Sequence, residues 1–219
     1  MGPALKRIEL GGVAGFLLEA GDGFVLVDTG FAKRRARLEA SLMQAGCIPG
    51  RLSLILLTHG DVDHTGNARY LRDTYGAPIA IHAAEVPVLS TGDQTANRGK
   101  TPDKYGFFFR ILGLFDRPDG FETFEPNLLV DESTDLAPYG LDARILHLPG
   151  HSRGSIGLVL ATGDAICGDL LVSFPRPRLH FLIDDLAAAR SSVEKLRQVR
   201  AGMIHPSHGR PFPAARLPH

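Results

Sequence analysis

The chain has 219 residues, 44% of them hydrophobic and 22% charged, which is the composition of an ordinary globular protein. Lys plus Arg and Asp plus Glu are both 24, so the formal net charge is zero and favours neither a nucleic-acid partner nor an anionic membrane surface. The sequence contains no apolar run of membrane-spanning length, and its first residues lack the apolar core of a signal peptide. We therefore expect a cytoplasmic protein without a membrane partner that forms one domain over residues 1–219.

The first eighty residues alternate between strand and helix patterns. Two apolar segments, 13–19 and 24–27, flank a turn containing Asp-Gly, which is typical of an antiparallel hairpin. Apolar side chains recur at helical spacing over residues 32–45, and a continuous apolar run over 52–57 indicates a strand buried on both faces. The other elements that we expect in this part of the chain are a helix at 66–75 and a short strand at 78–81.

The second half of the chain begins with an irregular segment and then returns to strands. Residues 92–127 combine glycines, prolines and an aromatic cluster, and we interpret them as a lid-like excursion from the core. A helix at 185–199 has one apolar face, with Asp184 or Asp185 as its N-cap. The expected strands are 127–131, 143–148, 155–161, 164–168 and, as the last one, 203–205. Two sets of mainly antiparallel strands with helices beside them predict an α+β fold with two sheets packed face to face.

The segment His59-Gly60-Asp61-Val62-Asp63-His64 carries four potential metal ligands within six residues, between a buried strand and a helix. Carboxylates and imidazoles that lie so close together and are buried would repel one another or lack partners without a cation. Carboxylate oxygen and neutral imidazole nitrogen are the usual protein ligands of divalent metals. Taken alone, the segment could equally be an acidic surface loop with two incidental histidines.

Three later positions repeat the same chemistry at a turn or strand end. His151 follows an apolar strand in Leu148-Pro149-Gly150-His151, Asp169 follows Cys167-Gly168, and His208 follows the last predicted strand. Each of them has an ordinary structural explanation by itself. Four separate sites that all carry nitrogen or oxygen ligands are much harder to obtain by chance, so we predict one metal centre.

This order of motifs resembles the metallo-β-lactamase superfamily, whose signature is His-x-His-x-Asp-His followed by a His, an Asp and a His. The resemblance extends over nearly the whole chain and implies a four-layer αββα sandwich with two metal ions at one edge. It implies that His59, Asp61 and His151 hold one ion. It implies that Asp63, His64 and His208 hold the other, with Asp169 bridging both. Asp28, in Val27-Asp28-Thr29-Gly30, matches a family position that supports the site from behind.

Asp61 departs from the pattern, because most of the family has a histidine there. The ligand set then contains three carboxylates where the usual set contains two. A more negative ligand set weakens the pull of the metal on bound water and favours harder ions. The resemblance implies two zinc ions, and Asp61 makes manganese or iron an alternative.

The resemblance implies a hydrolase in which the two ions lower the pKa of a shared water, and the resulting hydroxide attacks the substrate. Asp63 is the predicted catalytic residue, because it would orient this nucleophile while it binds metal. The nearest class is similar to glyoxalase II, so the expected substrate is a thioester, ester or lactone of a small molecule. A di-iron redox enzyme similar to the flavodiiron core, and a metal-binding module without catalysis, are the alternatives.

Two regions are candidates for substrate contact. His180 lies on the loop after Asp169, near Arg176 and Arg178, and could meet an anionic substrate, although a solvated loop is an equally good interpretation. Phe108 and Phe109 lie in the excursion and could cover an acyl group as part of a lid. The alternative for these phenylalanines is a separate apolar cluster or the contact surface of a homodimer.

Overall fold

The computed structural model describes residues 4–98 and 122–218. Within these ranges the strands are β1 (Leu5–Glu9), β2 (Ala14–Ala20), β3 (Gly23–Val27), β4 (Leu52–Leu56), β5 (Ile79–Ile81), β6 (Leu128–Leu129), β7 (Ala143–His147), β8 (Ile156–Leu160), β9 (Asp164–Ile166), β10 (Leu171–Ser173), β11 (Pro177–Leu179), β12 (Met203–His205), β13 (His208–Gly209) and β14 (Phe212–Pro213). The α-helices are α1 (Arg35–Gln44), α2 (Val62–Thr65), α3 (Ala68–Tyr75), α4 (Val86–Thr91) and α5 (Leu186–Gln198).

The first sheet contains β1 to β6 in chain order. The β1–β2 and β2–β3 pairs are antiparallel, as the hairpin pattern predicted. The pairs β3–β4, β4–β5 and β5–β6 are parallel, so the expectation of mainly antiparallel strands was wrong for this sheet. The reason is that α1 lies between β3 and β4 and α3 lies between β4 and β5, and a helical crossover returns the chain so that the next strand runs in the same direction.

The second sheet has the order β14-β12-β9-β8-β7, and of its pairings only β9–β12 is parallel. A third, small sheet has the order β11-β10-β13. The sequence did not predict this sheet, because strands of two or three residues are too short to show a hydrophobic period. The expectation that 203–205 is the last strand was also wrong, since β13 and β14 follow it.

The alternation of side chains along the strands divides the apolar core into three layers. In β3, Val25 and Val27 point into a core shared with Ile145, Leu158 and Ile166 of the second sheet. The other face of the first sheet packs against apolar residues of α1 and α3. The other face of the second sheet packs against the apolar side of α5. The result is the predicted αββα sandwich, in which helices cover both outer faces.

Two predictions concern the excursion at 92–127 and the membrane. Residues 99–121 lie outside the described ranges, and with them the lid interpretation and the phenylalanines Phe108 and Phe109. Among residues 4–98 and 122–218, we find no helix with the combination of length and apolarity that crossing a bilayer requires.

Candidate metal centre

The ligands predicted from the sequence lie at one edge of the two larger sheets. The first motif follows β4: His59 lies in the connecting turn, Asp61 is the N-cap residue of α2, and Asp63 and His64 lie within α2. His151 follows β7, Asp169 lies in a short 3₁₀ helix after β9, and His208 begins β13. Side chains from well-separated parts of the chain therefore converge at this edge.

The first cluster consists of His59, Asp61 and His151, whose ligand atoms all lie within 4.8 Å of one another. Asp61 Oδ2 is 3.1 Å from Nε2 of His151 and 3.6 Å from Nε2 of His59. Burial, followed by the positive charge of Arg98, lowers the pKa of His151 to about 3, so its ring is neutral. A neutral ring offers a lone pair to a metal or to a hydrogen-bond donor.

The second cluster consists of Asp63, His64 and His208, which also lie within 4.8 Å of one another. Asp63 Oδ2 is 3.4 Å from Nε2 of His208 and 3.7 Å from Nε2 of His64. The side chains of Asp63 and His208 are 19% and 23% exposed, whereas His64 is fully buried. The second cluster is therefore the more exposed side of the centre.

Asp169 lies between the two clusters. Its Oδ2 is 3.2 Å from Nε2 of His208 and 3.9 Å from Nε2 of His151, and its Oδ1 is 3.4 Å from Nε2 of His64. Burial alone would raise the pKa of Asp169, but the surrounding histidines outweigh it and hold that pKa well below its usual range. A charged carboxylate in this position can serve both clusters.

Several buried polar atoms of these residues have no hydrogen-bond partner within the described ranges. They are His59 Nε2, Asp61 Oδ1, His64 Nε2 and Asp169 Oδ1. Buried polar atoms are almost always paired, and leaving one unpaired costs on the order of 1–3 kcal/mol. All four atoms belong to the predicted ligands, and nitrogen and carboxylate oxygen suit divalent cations. The residues at this edge therefore fit a metal centre.

Asp28 supports His64 from the side away from the cluster, as the resemblance implied. Its fully buried carboxylate accepts hydrogen bonds of 2.8 Å from the backbone N–H and the hydroxyl of Thr58, and its Oδ2 lies 2.8 Å from Nδ1 of His64. Burial opposes protonation of His64, but the carboxylates around it, Asp28 foremost, hold its pKa well above its usual range. Because Nδ1 of His64 contacts Asp28, its Nε2 is directed at Asp63 and Asp169.

Glu85 is a buried carboxylate that the sequence did not reveal as part of the centre. Its Oε2 accepts from Gly60 N at 2.8 Å and Asn97 Nδ2 at 2.5 Å, and its Oε1 accepts from Ser152 Oγ and Gly154 N at 2.8 Å each. A Cβ atom on Gly154 would lie 2.7 Å from Oε1, so only glycine fits there. Glu85 joins the turn that carries His59 to the turn that follows His151.

Arg98 is the other residue that sequence reasoning missed. Its side chain is 2% exposed, and its Nη2 lies 2.5 Å from Asp61 Oδ2 and 3.2 Å from His151 Nε2. Its Nη1 donates to the backbone carbonyl of His151. Burial raises the pKa of Asp61, but Arg98 and then His59 outweigh it and hold that pKa well below its usual range. The only sequence signal was the unbalanced charge of Asp61, which requires a cation nearby.

The predicted contact residues after Asp169 separate into two groups. Arg176 and Arg178 are exposed, as expected for a solvated loop. His180 is buried beside the centre, with its Nε2 3.6 Å from Asp169 Oδ2 and its ring centroid 5.3 Å from that of His208. His151, Asp169 and His180 form another group with the spacing of metal ligands.

The two ends of the described chain meet behind His208. Its Nδ1 lies 2.7 Å from the backbone oxygen of Gly12. Arg7 in β1 donates to the backbone oxygens of Pro206 and Gly209, with Nη1–O and Nη2–O distances of 2.8 and 2.6 Å. The N-terminal strand thus positions the last ligand.

Comparison with known sequences gives relatives that include a probable metallo-hydrolase and a thioesterase. The chain is 25% identical over 206 residues to the probable metallo-hydrolase YflN of Bacillus subtilis, which covers 86% of this chain and 76% of that protein. It is also 25% identical over 218 residues to the human acyl-coenzyme A thioesterase MBLAC2, which covers 92% of this chain and 75% of that protein.

Comparison with solved structures gives the same architecture. The BLEG-1 B3 metallo-β-lactamase superposes with a TM-score of 0.74 over 97% of this chain and 95% of that chain, at 22% identity. TTHA1623 in a di-iron-bound form superposes with a TM-score of 0.72 over 97% of this chain and 98% of that chain, at 25% identity. The family model of the metallo-β-lactamase superfamily matches residues 8–208, which include every predicted ligand. The chain therefore belongs to the metallo-β-lactamase superfamily.

Proposed function

We propose that the protein is a metal-dependent hydrolase of small-molecule thioesters or esters, with two divalent metal positions. The first cluster, His59, Asp61 and His151, forms one position. The second cluster, Asp63, His64 and His208, forms the other, and Asp169 contributes to both. The observation that carries the proposal is the group of buried ligand atoms without hydrogen-bond partners in the described ranges, all belonging to these residues.

The ions would lower the pKa of a water molecule and polarise the substrate carbonyl, which is the chemistry that a dinuclear centre supplies. The residues of the chain orient the water and position the metal ligands. Asp63, on the open side of the centre, orients the attacking water through its carboxylate, as the sequence predicted. Asp28 holds the ring of His64, and Glu85 holds the two turns that carry His59 and His151.

Two observations favour an acyl substrate. One relative is an acyl-coenzyme A thioesterase, and its similarity extends over 92% of this chain. The second observation is local: the ring centroid of Phe181, a residue 63% exposed, lies 4.2 Å from that of His180 beside Asp169. An exposed aromatic ring next to the centre suits an apolar acyl group. We assign His180 to substrate contact.

The identity of the ions is part of the proposal. Zinc is the ion that the resemblance implied, and the similarity to TTHA1623 in a di-iron-bound form supports iron as the alternative. A nitrogen and oxygen ligand set without thiolate accepts either ion. The free cysteines Cys47 and Cys167 are buried and do not belong to the described ligand groups.

The test is a substrate panel with chelator-treated protein reloaded with zinc, manganese or iron. Acyl thioesters, acyl esters, lactones, β-lactams and phosphodiesters are compared by kcat/KM. We expect the acyl thioester or ester to give the highest value, and Asp169→Ala to lower it by at least about 10³-fold, since removing one essential group of a catalytic unit costs orders of magnitude. Asp164→Ala is the control, because this carboxylate pairs with His205 outside the centre. A fully loaded protein that hydrolyses none of these classes would contradict the proposal and favour the redox or binding alternatives.

A further inference from the structure

The guanidinium of Arg98 lies inside the first cluster. It contacts Asp61 and His151, two of the three ligands of that cluster, at the distances given above, and it also binds the backbone of His151. These ligands come from separate segments, one at the start of α2 and the other after β7. Because the Arg98 side chain is 2% exposed, these contacts lie in the protein interior and do not form a surface ion pair.

The charge of Arg98 balances the charge that Asp61 introduces. With three carboxylates, the ligand set carries one negative charge more than a set with histidine at position 61. Arginine stays protonated in proteins, so Arg98 cancels that charge permanently. In the described part of the chain, the ion-pair partners of Asp63 and Asp169 are histidines, and of these three carboxylates Asp61 is the one paired with an arginine.

The same contacts compete with a metal ion for lone pairs. An arginine can only donate, so Arg98 takes up a lone pair of Asp61 Oδ2, and it takes up the lone pair of His151 Nε2 in the tautomer that carries its proton on Nδ1. A divalent ion in the first cluster needs the lone pair of His151 Nε2 and prefers carboxylate oxygens without a second cation close by. Two other ligand atoms of this cluster, His59 Nε2 and Asp61 Oδ1, have no hydrogen-bond partner in the described ranges. In the second cluster, the described partners of the ligands include no arginine or lysine.

We propose that Arg98 is a built-in competitor for the first metal position and makes the two positions unequal. The second cluster, with Asp169, binds the tighter ion. The first cluster binds an ion only as the guanidinium withdraws from His151 Nε2 and Asp61 Oδ2. This inference rests on the proposed function, because it concerns the same metal positions.

The experiment is a zinc titration of chelator-treated protein against a chromophoric chelator, with metal content measured by mass spectrometry. We expect two ions per wild-type chain, with dissociation constants that differ at least tenfold. Arg98→Met removes the cation at similar length, and we expect the weaker ion to bind at least tenfold more tightly while the tighter ion changes less than threefold. Arg72→Met is the control, since Arg72 also donates to a backbone oxygen but lies on the surface.

Two results would overturn the inference: equal dissociation constants in the wild type, or an Arg98→Met protein whose weaker ion binds no more tightly than before. Circular dichroism establishes that each variant folds. If Arg98→Met does not fold, Arg98→Lys replaces it, because a lysine keeps the charge but cannot make the forked contacts. We then expect the affinity for the weaker ion to increase about threefold or more. An unchanged affinity would overturn the inference.

A further variant separates this inference from the proposed function. Asp61→Asn removes the charge that Arg98 neutralises, so we expect Arg98→Met to have a smaller effect in that background, as a double-mutant cycle measures. An effect of the same size in both backgrounds would overturn the inference. A wild-type chain that hydrolyses the acyl substrates and binds two ions equally would overturn only the role of Arg98. A chain that binds no ion would remove the proposed function and the inference with it.

Discussion

Asp28 shows how one residue can orient a proposed ligand without being a ligand itself. Its backbone has a φ of 60°, a left-handed conformation that aspartate and asparagine adopt more readily than most residues. This conformation follows directly after β3 and directs the carboxylate toward Thr58 and His64. Imidazoles that bind metal commonly donate their other N–H to such a carboxylate, which fixes the tautomer and the orientation of the ring.

We predict that Asp28→Asn lowers the affinity of the second cluster for zinc by about 10–100-fold, the usual effect of removing such a partner. Asparagine keeps the shape and tolerates the left-handed backbone, so the loss reports the carboxylate itself. The measurement is the zinc titration described above. Asp164→Asn is the matched control, because Asp164 Oδ1 lies 2.7 Å from Nε2 of His205 in a pair that is not part of the described ligand groups. Unchanged affinity in folded Asp28→Asn would contradict this role.

At the scale of elements, Glu85 holds together segments that belong to different layers. The residue lies just before α4, beside the first sheet, and accepts from Ser152 and Gly154 in the turn that leads into β8 of the second sheet. Four donors around one buried carboxylate satisfy it completely, which is what makes a buried charge tolerable. The two turns therefore cannot move independently.

Glu85→Gln tests this connection, because the amide group of glutamine must face two of the four donors. We expect the free energy of unfolding to fall by roughly 3 kcal/mol, the order of magnitude for leaving buried donors unpaired. For a chain of this length the melting temperature would fall by roughly 6–12 °C. Glu132→Gln is the control, since Glu132 accepts from His147 N and Lys195 at the surface and should cost less than about 1 kcal/mol. A similar melting temperature for both variants would disprove the connection.

The sequence predicted the elements better than their arrangement. Apolar segments located the strands of the β2–β3 hairpin and the strand β4, and they located α5 to within a residue at each end. The parallel direction of β4, β5 and β6 was not predicted, because direction depends on how the helices cross over and not on the side chains of the strand. The proposed ligands could be located in the sequence because their residue types recur at strand ends and turns. Glu85 and Arg98 could not be predicted from the sequence, since the role of a buried charge depends on partners that are distant in sequence.

At the scale of the whole molecule, the candidate metal centre draws its residues from both larger sheets. His59, Asp63 and His64 follow β4 of the first sheet, whereas His151 and Asp169 follow strands of the second. Ions bound by both groups would cross-link the sandwich at this edge. Binding that occurs only in the folded state raises stability by about 2.7 kcal/mol when the free ion is at 100 times its dissociation constant.

The stabilisation of the fold by metal binding depends on pH. Burial lowers the pKa of His208, but the carboxylates of Asp169 and Asp63 outweigh it and raise that pKa to about 10. Without metal, the folded chain therefore holds a proton on His208 that the unfolded chain loses above about pH 6.5. That contribution to stability is complete below about pH 6.5 and disappears as the pH rises through about 10. An ion must displace the same proton, so its net affinity increases with pH.

We accordingly predict that zinc raises the melting temperature, relative to chelator, more at pH 8 than at pH 6.5. His64 in the same cluster also has a raised pKa, so zinc displaces a proton from each of the two histidines. Each displaced proton changes the binding free energy by about 1.4 kcal/mol per pH unit, or about 2 kcal/mol over this interval. The shift added by each proton is then roughly 4–8 °C, measured by differential scanning fluorimetry at constant free zinc. His208→Ala should lose about half of the pH dependence. An equal or larger increase at pH 6.5 would contradict the displacement of protons from these histidines.

The contact of His208 with Gly12 and of Arg7 with the segment around His208 has a consequence for biosynthesis. His208 and Gly12 are separated by 196 residues, so the second cluster cannot form before the chain has been translated past His208. A nascent chain that has reached His151 already contains the first cluster, together with Arg98, but lacks the histidine that completes the second. Metal acquisition at the second cluster would thus follow the synthesis of His208 and its contact with Gly12, whereas the ligands of the first cluster and Arg98 are present earlier.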